Sequence, residues 1–240
     1  MRTHATAQLV GGRPRQCDRT AVVAAPGGVR AYALLDGVGK SAEVARWTRR
    51  AAHRTATLAA RFQDAEEGLR AAYDHYAAHP APPDPEGHTP AAAAVVAVTA
   101  PGRRPTVAWC GDARAYLLQD GQVERLTDDH NLRRVNGGPA NLLTSCLGSN
   151  ATDADLRLAG HPTVESDTPH LAHPTARLVL MSDGAYEPLE QSCVRLENVA
   201  LTGRPQDAAR ALASLAVELG GIRPDNSTAL VADLHRGDHY

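Results

Sequence analysis

The stretch Val29-Arg30-Ala31-Tyr32-Ala33-Leu34-Leu35-Asp36-Gly37-Val38-Gly39 decides how this chain reads. Its first seven residues are nearly continuous apolar, the pattern of a strand covered on both faces, and the run stops at an acid followed by glycine. A carboxylate at the end of a buried strand is poorly solvated and needs a cation, hydrogen bonds or both. The pattern recurs downstream. Leu178-Val179-Leu180-Met181-Ser182 runs into Asp183-Gly184, Trp109-Cys110-Gly111 precedes Asp112, and Pro224-Asp225-Asn226 opens the last apolar run. Singly, each aspartate reads more readily as a turn or helix cap, the common use of Asp-Gly. Together they form a set of oxygen donors of the type that magnesium and manganese take, provided the fold gathers them.

Outward from that strand, β-type runs cover residues 6–10 and 20–25, with Pro26-Gly27-Gly28 as a tight turn before residues 29–35. Ser41 caps a helix in which Val44, Ala45, Trp47, Ala51 and Ala52 recur at helical spacing. A second helix is expected over 64–78, with Ala65, Leu69, Ala72 and Tyr76 on one side. Residues 79–90 hold too much proline for regular structure and read as a loop. Strands follow over 91–99, 106–110, 114–118 and 123–126, the last two joined by the hairpin signal Asp120-Gly121. A strand over 178–181, a helix over 205–219 and a strand over 227–234 close the chain. This order implies an α+β fold rather than a regular βαβ array.

The 240 residues fit a single domain spanning 1–240, and 43% of them are hydrophobic, enough for a sizeable core. Aromatics make up only 4%, which leaves most packing to Ala, Val and Leu. A formal charge of −2 argues against a nucleic-acid binder. No apolar run reaches the ~20 residues needed to span a bilayer. The opening MRTHATAQLV lacks the apolar core and cleavage site of a signal peptide, so a cytoplasmic protein is expected. Nothing signals an interface, and a monomer is assumed. Cys17, Cys110, Cys146 and Cys193 are too scattered for a zinc site or a disulfide framework and read as reduced, mostly buried thiols. Most histidines, among them His79, His161, His173 and His239, read as solvated surface.

The ordered motifs resemble those of the metal-dependent (type 2C) serine/threonine protein phosphatases in their short bacterial form. Arg13-Pro14-Arg15-Gln16-Cys17-Asp18 resembles the family's Arg…Asn-Glu-Asp opening, and Asp36-Gly37-Val38-Gly39 its Asp-Gly-Met-Gly segment. Gly111-Asp112-Ala113-Arg114, then Leu126-Thr127-Asp128-Asp129-His130, resemble Gly-Asp-Ser-Arg and Leu-Thr-x-Asp-His. Leu147-Gly148, Ser182-Asp183-Gly184 and Asp225-Asn226-Ser227-Thr228 complete the series. The resemblance covers almost the whole chain and implies two packed antiparallel sheets flanked by helices, an αββα sandwich. It implies hydrolysis of phosphoserine and phosphothreonine on proteins, with a metal-bridging hydroxide attacking phosphorus in line. Two Mn²⁺ or Mg²⁺ ions would sit on Asp36, the Gly37 carbonyl, Asp183 and Asp225, and a third on Asp112 with Asp183. Arg13 would bind the substrate phosphate and Asp18 would orient water. The implied partners are phosphoprotein substrates and an opposing protein kinase.

Several positions depart from the family pattern. Cys17 replaces a glutamate, Val38 stands where bacterial members have methionine, and Lys40 replaces a glycine. Only the seventeen residues 131–147 separate His130 from Gly148, so the flap is shortened and the centre is expected to be more open. The altered Cys17 and short flap motivate an alternative, a degenerate phosphatase-fold module that binds a phosphoprotein or regulatory partner. Gly39-Lys40-Ser41 imitates the end of a P-loop, but Leu34 stands where its first glycine belongs and Asp36 would oppose a bound phosphate. A metal-dependent nuclease is disfavoured by the missing basic stripe.

Overall fold

The computed structural model describes residues 3–173 and 175–235. Among the described residues, ten strands and six α-helices follow one another in the order β1 (His4–Leu9), β2 (Arg19–Ala24), β3 (Arg30–Val38), α1 (Ala42–Phe62), α2 (Ala65–Ala78), β4 (Ala91–Thr99), β5 (Thr106–Cys110) and β6 (Arg114–Gln119). They continue as β7 (Gln122–Arg125), α3 (Leu132–Asn136), β8 (Glu165–Asp167), β9 (Thr175–Met181), α4 (Asp183–Gln191), α5 (Leu196–Ala200), α6 (Pro205–Leu219) and β10 (Ser227–His235). The strands form two five-stranded sheets, ordered β1-β10-β9-β6-β7 and β2-β3-β4-β5-β8. Every neighbouring pair is antiparallel.

Strand β4 shows why the layers form. Its sequence AAAAVVAVT is apolar on both faces, and the two faces enter different cores. Ala92, Ala94, Val96 and Val98 pack with Trp47, Ala51, Ala56 and Leu69 of α1 and α2. Ala93, Val95 and Ala97 face the other sheet, meeting Ala115, Leu117, Leu178, Leu180 and Leu230. A third core joins that sheet to α4 and α6 through Val179, Met181, Ala208, Leu212 and Val231. The result is the expected αββα sandwich: a helical layer, two sheets and a second helical layer.

Ser41 caps α1 by accepting the Val44 N–H, and Asp64 caps α2 by accepting that of Glu67. The Asp120-Gly121 hairpin has positive φ at both residues (49° and 71°), as a type I′ turn requires. Other expectations are corrected. Strand β3 does not stop at Leu35 but runs on to Val38, because Asp36, Gly37 and Val38 stay paired with Ala93, Ala92 and Ala91. Asp36 therefore lies within the strand. Helix α4, with Pro188 inside it, was not foreseen, nor were α3, α5 and β8. His161 is buried rather than solvated: its ring stacks on that of His130 at 4.1 Å and bonds Thr144 at 2.8 Å. His79 is exposed, His173 is half-buried, and His239 falls outside the described residues.

Leu180 is fully buried between the sheets, one residue before the end of β9, the strand that leads to Asp183. Replacing it with alanine should cost about 3 kcal/mol, the usual price of a large-to-small core change. Urea unfolding measures this, and a loss below about 1 kcal/mol would contradict the packing described.

Candidate metal centre

Pairing register brings the aspartates to one end of the sandwich. In the first sheet, Met181 pairs with both Ala229 and Arg114, so the end of β9 meets the starts of β10 and β6. Asp183, Asp225 and Asp112 flank these three strand ends. The second sheet contributes Asp36 on β3, with the side-chain parity of Tyr32 and Leu34, which face the space between the sheets. It also contributes Asp18, just before Arg19, which pairs with Leu35. Arg13, Asp36, Gly37, Asp112, Asp183 and Asp225 line one cavity of about 220 Å³. A larger cavity, about 600 Å³, opens at β1, β2 and the start of α6, and no acidic residue lines it.

Two glycines permit this approach. A Cβ on Gly184 would come within 2.2 Å of the Asn226 carbonyl oxygen, so only glycine lets the 225–226 backbone lie against the start of α4. A Cβ on Gly37 would meet the Cys17 carbonyl oxygen at 2.6 Å and Thr48 Oγ1 at 2.7 Å. Ser182 fastens the same junction: its N–H donates to the Thr228 carbonyl, and its Oγ accepts the Thr228 N–H, both at 3.1 Å.

Crowded carboxylates hold their protons. Burial pushes Asp18 up to about 7, with Asp183 adding to the rise and the Thr228 and Ser182 hydroxyls opposing it. Neither Asp18 Oδ2 nor Thr228 Oγ1 completes a hydrogen bond. Asp112 is raised to about 8 by burial, then by the charges of Asp183 and Asp129. Asp36 stands well above the ordinary aspartate value through burial and the charges of Asp18 and Asp183, although part of its surface opens on the cavity. Asp183 is raised by burial, with Asp225 contributing. Arg13 is ion-paired with Asp225 through Nη2.

The donors are all oxygen, and the unpartnered Asp18 Oδ2 lies among acids that burial drives toward protonation. In donor type and burial this set fits a hard divalent cation. The side chains are not arranged as a chelate: among the described residues no three His, Cys, Asp or Glu are grouped to hold a metal. Asp225 is turned to Arg13, and Asp183 Oδ1 and Asp225 Oδ1 each accept the N–H of the next residue.

The surroundings include residues with no assigned part in the sequence reading. Asn226 lines the cavity, as do Asn141 and Leu143 from the short 131–147 segment, which returns to the body through an Asn131–Leu143 bridge. Cys17 is buried and donates its backbone N–H to Asn226 Oδ1 at 2.7 Å. Lys40 is exposed and faces Glu86 at 3.8 Å. Arg114 and His130, both from the matched motifs, brace the walls. Arg114 makes two 2.8 Å bonds to Asp129 and stacks on Tyr186, whose hydroxyl donates to the Asp112 carbonyl at 3.1 Å. His130 bonds Glu165 at 3.0 Å.

A family model described as protein phosphatase 2C matches residues 24–136, which include Asp36 and Asp112. The serine/threonine protein phosphatase PstP of Mycobacterium tuberculosis is 30% identical over 142 residues, 58% of this chain and 27% of PstP. The chain thus spans about a quarter of the length of that curated relative. In fold it is similar to the PPM Ser-Thr phosphatase MsPP from Mycobacterium smegmatis, solved in complex with cacodylate, at a TM-score of 0.69 and 24% identity over 96% of this chain and 97% of that one. It is also similar to the catalytic domain of PstP in complex with two manganese ions, at 0.64 and 23% over 96% of both chains. Two facing sheets with an aspartate-lined cavity at one end, joined to these matches, define the class by its fold: the chain has the architecture of the PPM Ser-Thr phosphatases, and its residues 24–136 match the protein phosphatase 2C model.

The raised carboxylates carry a pH signature. Each binds more protons in the folded chain than in the unfolded one, where aspartate titrates near about 3.9. Their contribution to stability is therefore present at low pH and lost as pH rises from about 4 through the folded values of about 7 for Asp18 and about 8 for Asp112. In chelator, the melting temperature should fall between about pH 5 and pH 8, and manganese should restore more of it at the higher pH. A melting temperature indifferent to both would contradict this electrostatic account.

Proposed function

We propose that this chain is a metal-dependent protein phosphatase acting on phosphoserine and phosphothreonine, with residues 1–240 working as one catalytic domain. The observation that carries this reading is the convergence of Asp36, Asp112, Asp183 and Asp225, from two sheets, on one cavity with Arg13. The two manganese ions of the PstP catalytic domain support it, as does the oxyanion cacodylate in MsPP.

Asp36 with the Gly37 carbonyl, Asp183 and Asp225 would hold two ions, manganese or magnesium, and Asp112 with Asp183 a third. When bound, the ions supply an acidified water for in-line attack on phosphorus and offset charge on the phosphate oxygens. Arg13 binds the phosphate: its guanidinium lines the cavity and has the fork geometry that suits two phosphate oxygens. Asp18 is buried and does not itself line the cavity; its unpartnered Oδ2 would act from behind the lining acids, on a water that reaches past them. Asp225, now paired with Arg13, is the acid that the arginine must leave to reach a phosphate. Val38 and Leu143 give the cavity rim an apolar edge against which a peptide side chain can rest.

The expected setting is the cytoplasm, where phosphoproteins made by an opposing kinase are the substrates and the chain acts as a monomer. Among the described residues, no helix is long and apolar enough to cross a membrane.

Purified protein given manganese should hydrolyse an aryl phosphate and phosphothreonine peptides, and a chelator should stop it. Asp183→Ala should lower the rate by at least about a hundredfold. Metal-loaded, folded protein inert toward both substrates would refute the activity and favour a phosphoprotein-binding module.

A further inference from the structure

We propose that Asn226 is a positioning residue for Arg13, acting by clamping the loop that carries it. The proposal rests on Arg13 as the phosphate-binding residue and adds what holds it in place. Arg13 lies in an irregular segment, residues 10–18, between β1 and β2. Locally the segment has one backbone turn bond, from the Arg13 N–H to the Val10 carbonyl at 3.3 Å, and the Gln16 side chain, which donates to the Leu9 carbonyl and accepts the Asp18 N–H, both at 3.0 Å.

Further fixing, with more bonds to the loop, comes from the far end of the chain. Asn226 Nδ2 donates to the Val10 carbonyl and to the Arg15 carbonyl, each at 2.9 Å. Its Oδ1 accepts the Cys17 N–H at 2.7 Å. One buried side chain thus binds the loop before Arg13, just after it and at its end. The Gly12 N–H adds a fourth stitch, to the Pro224 carbonyl at 2.7 Å. Both amide donors and one acceptor are used, so a buried carboxamide is nearly satisfied here. A carboxylate would not replace it, since it would set an acceptor oxygen, in place of Nδ2, against the Val10 and Arg15 carbonyls.

Asn226 directly follows Asp225, so the clamp ties the phosphate-binding arginine to the same short segment as a candidate metal ligand. Loop and ligand then move as one unit. The clamp also accounts for Cys17. Residue 17 enters it through its backbone N–H, so a side chain that differs from the family's glutamate leaves the arginine's anchorage intact.

Two measurements test this. Hydrogen exchange of manganese-loaded protein should show residues 10–18 losing protection in Asn226→Ala, with the protection of the core strands β4 and β9 unchanged. Inhibition by inorganic phosphate should weaken about tenfold in Asn226→Ala, the worth of one or two hydrogen bonds. It should weaken at least as much in Arg13→Ala, and no further in the double variant, because the two residues serve one contact. Should the alanine variant fail to fold, Asn226→Asp, which keeps the Cys17 bond and loses both donors, carries the same expectations. Unchanged exchange in the loop, or losses that add in the double variant, would overturn the clamp. Unchanged phosphate inhibition in Arg13→Ala would instead overturn the phosphate role of Arg13, and with it the purpose assigned to Asn226.

Discussion

Five aspartates are held where the ends of two β-sheets meet, and the cost of crowding acids there, all of them buried or half-buried, is the constraint around which the rest is arranged. Asp18 and Asp36 come from one sheet, Asp112, Asp183 and Asp225 from the other. Burial resists their ionisation, and the neighbouring like charges add to that resistance, which is why Asp18 and Asp112 are shifted to about 7 and about 8. The protein tolerates the cluster because apolar cores on both faces of both sheets fix the strand ends. Two further elements offset it: Arg13 against Asp225, and the N-terminus of α4, where Asp183 meets the favourable end of the helix dipole. A cluster built this way gains most from a divalent cation.

Much of the frame could be read from the chain because it is written in local patterns. Strand β4 is apolar on both faces, α1 and α2 carry capping side chains at the expected places, and the Asp120-Gly121 turn has the conformation its residues favour. The aspartates were legible for the same reason: an acid ending an apolar run is visible without any knowledge of what lies opposite. The missed features depend on distant partners. Helix α4 was hidden because Asp183-Gly184 reads as a turn and Pro188 removes a helical hydrogen bond, while its burial against α6 decides the matter. His161 looked like a surface residue because only the folded chain stacks it on His130. Asn141 and Leu143 reach the cavity from a segment with no periodicity.

The departures from the family pattern weigh less in the folded chain than in the sequence. Lys40 points to solvent beside Glu86 and leaves the cavity to Arg13. Cys17 contributes a backbone donor, and its carbonyl lies against Gly37, so what matters at this position is the path of the chain. The short 131–147 segment still provides part of the wall through Asn141 and Leu143. What changes is the rim, which on the proposed function is where a protein substrate would rest.

The central claim is that the cavity between Asp36, Asp183 and Asp225 is a metal centre. Anomalous diffraction from crystals grown with manganese tests it most directly. The account predicts manganese peaks in that cavity with Asp36 touching two of them and Arg13 swung away from Asp225. Strong manganese peaks elsewhere, with the Arg13–Asp225 pair intact and the cavity empty, would contradict it.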